Sequence, residues 1–202
     1  MKKIIILAVL LALTATGAFA FNFTLGASGA LYMSSEEFQS SEAGGIMDQF
    51  EDGEGVYYGL NAELLFRKWG LGLYSYFSFY EFDEYGTFDM MDVDINLSLS
   101  YHLFKTTSFI DPFIEGGFGR ITKDITSMNG EQLPEPITYQ GTNYVFAGAG
   151  LGVNIGFIGA YAKLQYHMPT SNVEIEDGDY TVVVDAYPLN DLKFILGAKL
   201  IF

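Results

Sequence analysis

The chain lacks cysteine, has only 5 prolines among its 202 residues, and carries 10 Lys and Arg against 25 Asp and Glu. Without cysteine it can form no disulfide framework, thiolate metal site, catalytic thiol or cysteine-linked lipid anchor. Its net charge of −15 argues against nucleic acid as a partner, because phosphates are bound by clustered Lys and Arg. The length fits one domain, or at most a small pair of domains.

Long hydrophobic runs are also missing. Beyond residue 20, no stretch approaches the roughly 20 consecutive apolar residues that a membrane-spanning helix requires. Nevertheless, 50% of the residues are hydrophobic, and the mean hydropathy is +0.21 although the chain is strongly acidic. Charged and apolar residues must therefore be segregated along the sequence, and the pattern of segregation is the main clue to the fold.

The first twenty residues have the three parts of a secretory signal peptide. Lys2 and Lys3 provide a basic start, an apolar run covers residues 4–13, and Ala18 and Ala20 are the small residues of a cleavage site. The apolar run is too short to cross a bilayer as a helix. We therefore predict that residues 1–20 are cleaved off and that residues 21–202 form the mature domain.

Apolar and polar residues alternate strictly over residues 91–103. The odd positions are all apolar and the even positions are all polar, whereas a helix would distribute both kinds around its circumference. The segment is therefore predicted to be a β-strand with one apolar and one polar face. A similar alternation predicts seven further strands, over residues 21–33, 56–66, 71–80, 109–121, 144–155, 158–168 and 192–202.

The eight predicted strands are joined by connections of two kinds. Short turns at 67–70, 104–108 and 156–157 alternate with long connections at 34–55, 81–90, 122–143 and 169–191. Short turns at one rim and long loops at the other are typical of outer-membrane barrels. An open sheet would leave unpaired backbone groups in lipid, so the sheet must close. We therefore predict an all-β, eight-stranded antiparallel up-and-down transmembrane β-barrel.

A soluble lipocalin-like barrel or β-sandwich, with its apolar face turned inward, is the competing interpretation. The aromatic residues favour the membrane barrel, in which two aromatic belts flank the apolar layer. One belt is predicted near the short turns: Trp69, Tyr101, Phe104, Phe109 and Phe202. The other belt is predicted towards the long loops: Tyr58, Phe77, Phe79, Tyr144 and Tyr166.

The last predicted strand carries a family resemblance. Residues 192–202, with Phe194, Leu196, Leu200 and Phe202 on the apolar face, resemble the assembly signal of bacterial outer-membrane proteins, which characteristically end in an aromatic residue. The whole mature chain is similar to the OmpA/OmpX-type eight-stranded barrels. The resemblance implies a multi-pass barrel in the bacterial outer membrane, with its long loops outside the cell. It also implies two partners, the outer-membrane assembly machinery and lipopolysaccharide or an equivalent lipid. A peptidoglycan-binding domain of the OmpA kind is not expected, because the sequence stops with this strand.

Charged residues on the predicted inward faces sort by strand, with acids on strands two, four and five and lysines on strands seven and eight. Depth counted from the rims gives three pairs: Asp94 with Lys193 near the loops, Glu115 with Lys163 near the middle, and Glu63 with Lys199 lower down. Pairing across the lumen is expected, because a buried charge without a partner is costly. Together with Tyr74, Tyr76 and Tyr161, these pairs are predicted to plug the lumen. A path for ions or protons is the alternative.

Two patterns suggest enzymatic chemistry, but each lacks its context. Ser100 and His102 share an inward face beside Glu115, which superficially resembles the Ser–His–Glu sites of barrel enzymes that deacylate lipid A. These residues point away from acyl chains outside the barrel and lie near the short turns. The glycines at 148, 150 and 152 lack the strand-to-helix context of a nucleotide-binding loop. We therefore predict no catalytic site, no cofactor and no metal site.

The long connections hold most of the acidic residues. The first contains seven acids and no Lys or Arg: Glu36, Glu37, Glu42, Asp48, Glu51, Asp52 and Glu54. We interpret this loop as a solvated, self-repelling surface. Bridging by divalent cations stays an alternative, although no spacing matches a defined calcium loop. The sequence thus predicts a monomeric, non-enzymatic barrel whose loops serve surface interaction or a structural role. A narrow porin-like channel is the alternative, and a lipid-A-modifying enzyme is a distant one.

Overall fold

The structure, a computed structural model, describes residues 21–33, 56–82, 88–128, 130–170, 173–177, 180–184 and 192–202. The predicted signal peptide at residues 1–20 and the acidic loop at residues 34–55 lie outside these ranges. Among the described residues there is no helix long and apolar enough to cross a membrane.

Ten strands occur in the described ranges, and eight of them close into an antiparallel barrel. The barrel strands are β1 (Phe21–Met33), β2 (Val56–Phe66), β3 (Trp69–Phe82), β4 (Phe88–His102), β5 (Ile110–Met128), β6 (Glu131–Ile155), β7 (Ile158–Pro169) and β10 (Leu192–Ile201). Consecutive barrel strands pair with each other, and β10 pairs with β1 to close the sheet. The other two strands, β8 (Val173–Asp177) and β9 (Tyr180–Val184), form a separate sheet. The predicted eight-stranded barrel is confirmed.

The strands are tilted relative to the barrel axis, as the pairing register shows. From Gly29 on β1, paired residues lead through β2, β3 and β4 to Thr122 on β5. In the other direction, paired residues lead from Gly29 through β10, β7 and β6 to Pro112, which also lies on β5. The register is thus displaced by ten residues, from 112 to 122, around the barrel. Such a displacement requires tilted strands, and eight of them enclose a space that side chains can fill.

Side chains alternate between the two faces of the barrel wall as predicted. On β4, the even residues from Asp92 to His102 are buried inside the barrel, whereas Ile95 and Leu99 are about half exposed on the outside. The exterior therefore carries apolar side chains and the interior carries polar ones. This arrangement is the reverse of a soluble barrel and agrees with the predicted orientation of the faces.

Two of the predicted long loops are wrong, because they contain further strand. Residues 122–143 are largely the continuation of a hairpin in which β5 runs to Met128 and β6 begins at Glu131. The register shifts beside Lys123 and Ile125, and such bulges interrupt the alternation from which strands are predicted. The connection at 169–191 contains the β8–β9 hairpin. The connection at 81–90 is shorter than predicted, since β3 reaches Phe82 and β4 begins at Phe88.

The aromatic belts are present, with one correction. Trp69, Phe104, Phe109 and Phe202 are exposed near the short turns, and Tyr58, Phe79 and Tyr166 are exposed towards the other rim. Tyr144 was predicted in the second belt, but it points into the lumen and is only 1% exposed. It occupies an even position of β6, on the same face as Phe146 and Asn154, so the alternation itself places it inside.

The short turns are bonded to one another at one end of the barrel, which we call the turn end. The amide of Thr106 donates to the carbonyl of Arg67 at 3.3 Å. Asn154 on β6 is inward-facing, and its Nδ2 donates to the carbonyls of Thr106 and Ser108 at 3.3 and 2.9 Å. Because these bonds start from a residue inside the barrel, the turn at 103–109 folds across this end of the lumen.

The barrel lumen as candidate functional site

Asp94 is the centre of the upper of the three predicted ion-pair clusters, on the side of the long connections. Lys193 Nζ lies 2.5 Å from Asp94 Oδ2, and the hydroxyls of Tyr32 and Tyr144 donate to the two carboxylate oxygens. The side chains of Asp94 and Lys193 are completely buried. Their strands, β4 and β10, are four places apart in the eight-stranded order, so this ion pair spans the lumen.

Glu115 and Lys163 form the middle cluster. Lys163 Nζ lies 3.1 Å from Glu115 Oε2, and Gln165 Nε2 donates to Glu115 Oε1 at 2.7 Å. The amide oxygen Oε1 of Gln165 lies 3.1 Å from His167 Nε2. The His167 ring stacks on Tyr144 with 4.4 Å between ring centres. Hydrogen bonds and stacking therefore connect the middle cluster to the upper one.

Glu63 and Lys199 form the lowest of the three predicted ion-pair clusters, on the side of the turn end. Lys199 Nζ lies 3.1 Å from Glu63 Oε2, which also accepts a hydrogen bond from Thr24 Oγ1 at 3.1 Å. The hydroxyl of Tyr74 donates to Glu63 Oε1, and Lys163 Nζ lies 3.7 Å from the centre of the Tyr74 ring. The structure thus brings together each of the three ion pairs that the sequence analysis matched, and it links them along the barrel.

Tyrosine rings occupy the space between the ion pairs. Lys193 Nζ lies 3.4 Å from the centre of the Tyr76 ring, which is completely buried. The rings of Tyr76 and Tyr161 lie directly over Gly59 and Gly197, where any side chain would collide with ring atoms. Glycine in a strand often marks such a close approach. These two positions lack a side chain so that a tyrosine can fill the space.

A Ser–His–Asp arrangement lies near the turn end. Ser100 Oγ is 3.1 Å from His102 Nε2, and His102 Nδ1 is 2.9 Å from both carboxylate oxygens of Asp111. The possibility that Glu115 completes this arrangement is wrong, because Glu115 is bonded in the middle cluster. Ser100, His102 and Asp111 are buried, and the Ser100 hydroxyl occupies the space that a side chain at Gly70 would take. The geometry satisfies both imidazole nitrogens.

Some buried polar atoms have no protein partner in the part of the chain that the structure describes. Examples are Asn61 Oδ1, Asn154 Oδ1 and His167 Nδ1. Buried polar groups are normally bonded to protein or to ordered water, so these atoms are the expected positions of internal water. Within the same described residues, no group of three or more His, Asp or Glu side chains could hold a metal ion.

Several members of the clusters are not assigned to the lumen by the sequence analysis. Tyr32 and Tyr144 bind Asp94, and Gln165 binds Glu115. Each occupies a position that the alternation assigns to the inward face, so that signal was present. The alternation does not show which inward residues meet, because that depends on the ten-residue displacement between 112 and 122.

The fold is that of the small outer-membrane barrels. The chain is similar to the N-terminal β-barrel domain of Pseudomonas aeruginosa OprF, at 15% identity and a TM-score of 0.50, over 90% of this chain and 97% of that one. It is also similar to Neisserial surface protein A, at 14% identity and a TM-score of 0.49, over 90% and 97% of the two chains. Ail of Yersinia pestis, in complex with a heparin analogue, gives 13% identity and a TM-score of 0.48 over the same shares.

These similarities are structural. No family model matches the chain, and no curated protein matches it in sequence. At 15% identity, the likeness to the OprF domain shows the fold alone. The function must therefore be inferred from the geometry of this barrel.

Proposed function

We propose that the protein is an integral barrel of the bacterial outer membrane whose lumen is filled and whose function resides in the surface beyond the membrane, either as surface interaction or as a structural role. The observation that carries the proposal is the continuous set of lumen contacts. Three ion pairs inside the barrel, two of them fully buried, are linked by tyrosine rings and hydrogen bonds from the loop side towards the turn end. A filled lumen supports a role other than solute transport.

The apolar exterior supports the membrane location. Large apolar side chains such as Leu60, Leu73 and Leu151 are at least half exposed. In water such a surface would be an aggregation site, whereas lipid is the solvent that it matches. The exposed aromatic belts lie on either side of it, as expected at the two headgroup layers.

The long β5–β6 hairpin supports a role beyond the membrane. β5 has 19 residues and β6 has 25, whereas a tilted strand needs about 9–11 residues to cross the apolar layer. The surplus projects past the loop rim by up to roughly 30 Å along the strands. We propose that the protein acts through this hairpin and through the acidic loop at 34–55, which lies outside the described residues.

The partners and the oligomeric state follow from the same proposal. The barrel contacts lipopolysaccharide or an equivalent lipid, is inserted by the outer-membrane assembly machinery and is a monomer.

Contacts of the last strand support its role as assembly signal. Phe202 and Phe23 exchange backbone hydrogen bonds of 2.8 and 3.2 Å, and their rings are 6.5 Å apart. The terminal aromatic residue thus joins β10 to β1, where the sheet closes. We propose no enzymatic activity.

Two measurements on the refolded mature protein test the proposal. Folded outer-membrane barrels migrate differently on gels before and after boiling, so we expect heat-modifiable migration after refolding into vesicles. In planar bilayers we expect no steady single-channel steps. Failure to insert into lipid would overturn the membrane location, whereas steady conductance by the inserted protein would overturn the filled lumen.

A narrow channel is the second candidate, and the lumen atoms without protein partners favour it. Water bound at Asn61, Asn154 and His167 would hydrate part of the lumen. Removing a filling side chain separates the two candidates. We expect Tyr76→Ala to open a conducting path in a closed barrel, and Tyr166→Ala, which truncates an exposed ring on the outer face, to leave it closed. A wild-type current that Tyr76→Ala merely enlarges would favour the channel.

A further inference from the structure

An apolar groove of about 490 Å³ opens on the outer face of the barrel near the turn end, across β3, β4 and β5. Its lining comprises Trp69, Leu99, Tyr101, Ile114, Gly116 and Glu115, and the carboxylate of Glu115 is buried in the lumen against Lys163. Gly116 faces outward, and a Cβ atom there would meet only the carbonyl oxygen of Phe146, at 3.4 Å. A side chain would therefore fit at residue 116, and its absence helps to form the groove.

Positive charge is concentrated where the groove meets the turn end. Lys68 lies in the turn after β2, where its Nζ donates one hydrogen bond to the carbonyl of Leu103 at 2.8 Å and lies 5.9 Å from the centre of the Tyr101 ring. The guanidinium of Arg67 lies 5.4 Å from the centre of the Phe66 ring. A third cation, Lys105, lies in the next short turn. The short turns at 67–68, 103–109 and 156–157 contain no Asp or Glu at all.

Nearby acids do not neutralise these cations. The two acidic residues of β5 closest to the turn end, Asp111 and Glu115, are buried on the inward face. They are bonded there to His102 and Lys163. The outward-facing charge at this end is therefore positive, although the chain as a whole carries −15.

We propose that this groove binds an anionic phospholipid, with one acyl chain against Gly116 and the phosphate at Lys68 and Arg67. The inference rests on the proposed membrane function. Trp69 and Tyr101 pack edge to face at 4.9 Å and belong to an aromatic belt, which lies at the headgroup layer. Lys68 is then at the depth of the phosphates, and Leu99 and Ile114 are at the depth of the acyl chains. A zwitterionic lipid offers the same chains, but its own cation offsets the phosphate charge.

Trp69 makes the test local, because it lines the groove and is the only tryptophan of the chain. The mature barrel is refolded into zwitterionic phosphatidylcholine vesicles that contain a small fraction of lipid brominated near the ester end of its acyl chain. Bromine quenches tryptophan fluorescence only at short range. A cation near a lipid surface changes partitioning by about fivefold. We therefore expect brominated phosphatidylglycerol to quench Trp69 with an apparent affinity at least about fivefold that of brominated phosphatidylcholine.

Variants separate the headgroup contact from the acyl contact. The double variant Arg67→Gln/Lys68→Gln should reduce the preference for the anionic lipid to nearly none, whereas Arg120→Gln, an exposed cation far along β5 from the turn end, should leave it unchanged. Gly116→Leu should fill the groove and lower quenching by both lipids. Equal quenching of the wild type by the two lipids, or a preference that survives the double variant, would overturn the proposed site. Unchanged quenching of Gly116→Leu would overturn the acyl contact.

The same samples distinguish this inference from the proposed function. Heat-modifiable migration shows insertion of the barrel whichever lipid is present. A barrel that inserts normally but shows no lipid preference contradicts only the phospholipid site. A barrel that does not insert into any vesicle contradicts the membrane function itself.

Discussion

The inner and outer faces of the barrel wall are built by the same strands, but they make contacts of different kinds. Inside, Asp94 accepts bonds from Lys193, Tyr32 and Tyr144, and each partner is specific. Outside, the neighbouring Ile95 is half exposed and has no such partner to lose. A lipid or detergent chain can replace any contact that Ile95 makes. The cost of a substitution should therefore depend on the face it occupies more than on the residue type.

The largest effect should come from breaking the middle ion pair. Lys163→Met leaves the carboxylate of Glu115 buried without its cation, which costs on the order of 3–5 kcal/mol. The double variant Lys163→Met/Glu115→Gln should be milder than Lys163→Met or Glu115→Gln alone, because neither charge is left without its partner and Gln165 still bonds the new amide oxygen. Urea unfolding in lipid vesicles, followed by the fluorescence of Trp69, measures the free energies of unfolding.

The matched control for that cycle is an ion pair with an accessible cation. Lys123 Nζ lies 3.6 Å from Asp92, and the Lys123 side chain is 30% exposed. Asp92 is buried, but it keeps hydrogen bonds from the hydroxyls of Tyr57 and Tyr80, so we expect Lys123→Met to cost less than Lys163→Met. Equal costs for Lys163→Met and Lys123→Met, with additive behaviour of the double variant, would show that the lumen charges are hydrated and would favour the channel.

The next largest effect should come from charging the outer face. Leu97 lies between the two aromatic belts on β4, where we expect Leu97→Arg to cost roughly 2–4 kcal/mol near the bilayer midplane. Leu97→Ala at the same position should cost much less, since lipid refills the space. The equivalent pair of substitutions at Leu196 on β10 should behave alike. An arginine tolerated as well as an alanine at both positions would contradict the assignment of this face to lipid.

A smaller effect should distinguish buried from exposed tyrosine hydroxyls. Tyr144→Phe removes a hydroxyl that donates to the Asp94 carboxylate, and hydrogen bonds to charged groups contribute about 1.5–3 kcal/mol. Tyr166→Phe removes a hydroxyl from an exposed ring and should stay within about 0.5 kcal/mol. The comparison uses the same vesicle unfolding measurement. Similar losses for the two variants would mean that Tyr144 does not hold Asp94 in place.

The difference between the faces also explains what could be predicted from the sequence. Membership of a face depends only on the position along a strand, so β4 and the inward lysines Lys163, Lys193 and Lys199 were predicted correctly. Where bulges shift the register, as beside Lys123 on β5, the period fails and a strand was predicted as a loop. The aromatic character of Tyr144 suggests a belt, whereas its even position on β6 places it in the lumen.

Contacts between strands that are distant in sequence were harder to predict. The depth count matched Asp94 with Lys193 because opposite charges narrow the choice of partners. For hydroxyls and imidazoles, depth along the barrel does not narrow the choice of partners in this way. The sequence therefore does not identify Asp111 as the partner of His102, although the structure pairs them, and Glu115 lies directly opposite Ser100 in the register.

The smallest predicted effect concerns the Ser–His–Asp arrangement, where a structural and a catalytic role differ. If Ser100 only satisfies His102, Ser100→Ala removes one neutral hydrogen bond and costs about 1 kcal/mol, while Ser75→Ala on the outer face of β3 costs within about 0.5 kcal/mol. A serine nucleophile would also react with a fluorophosphonate, but the Ser100 hydroxyl is packed beside Gly70. We therefore expect no covalent labelling of the folded wild type. Labelling that Ser100→Ala abolishes and Ser75→Ala preserves would make Ser100 a nucleophile and would reverse the conclusion that the inner face is structural here.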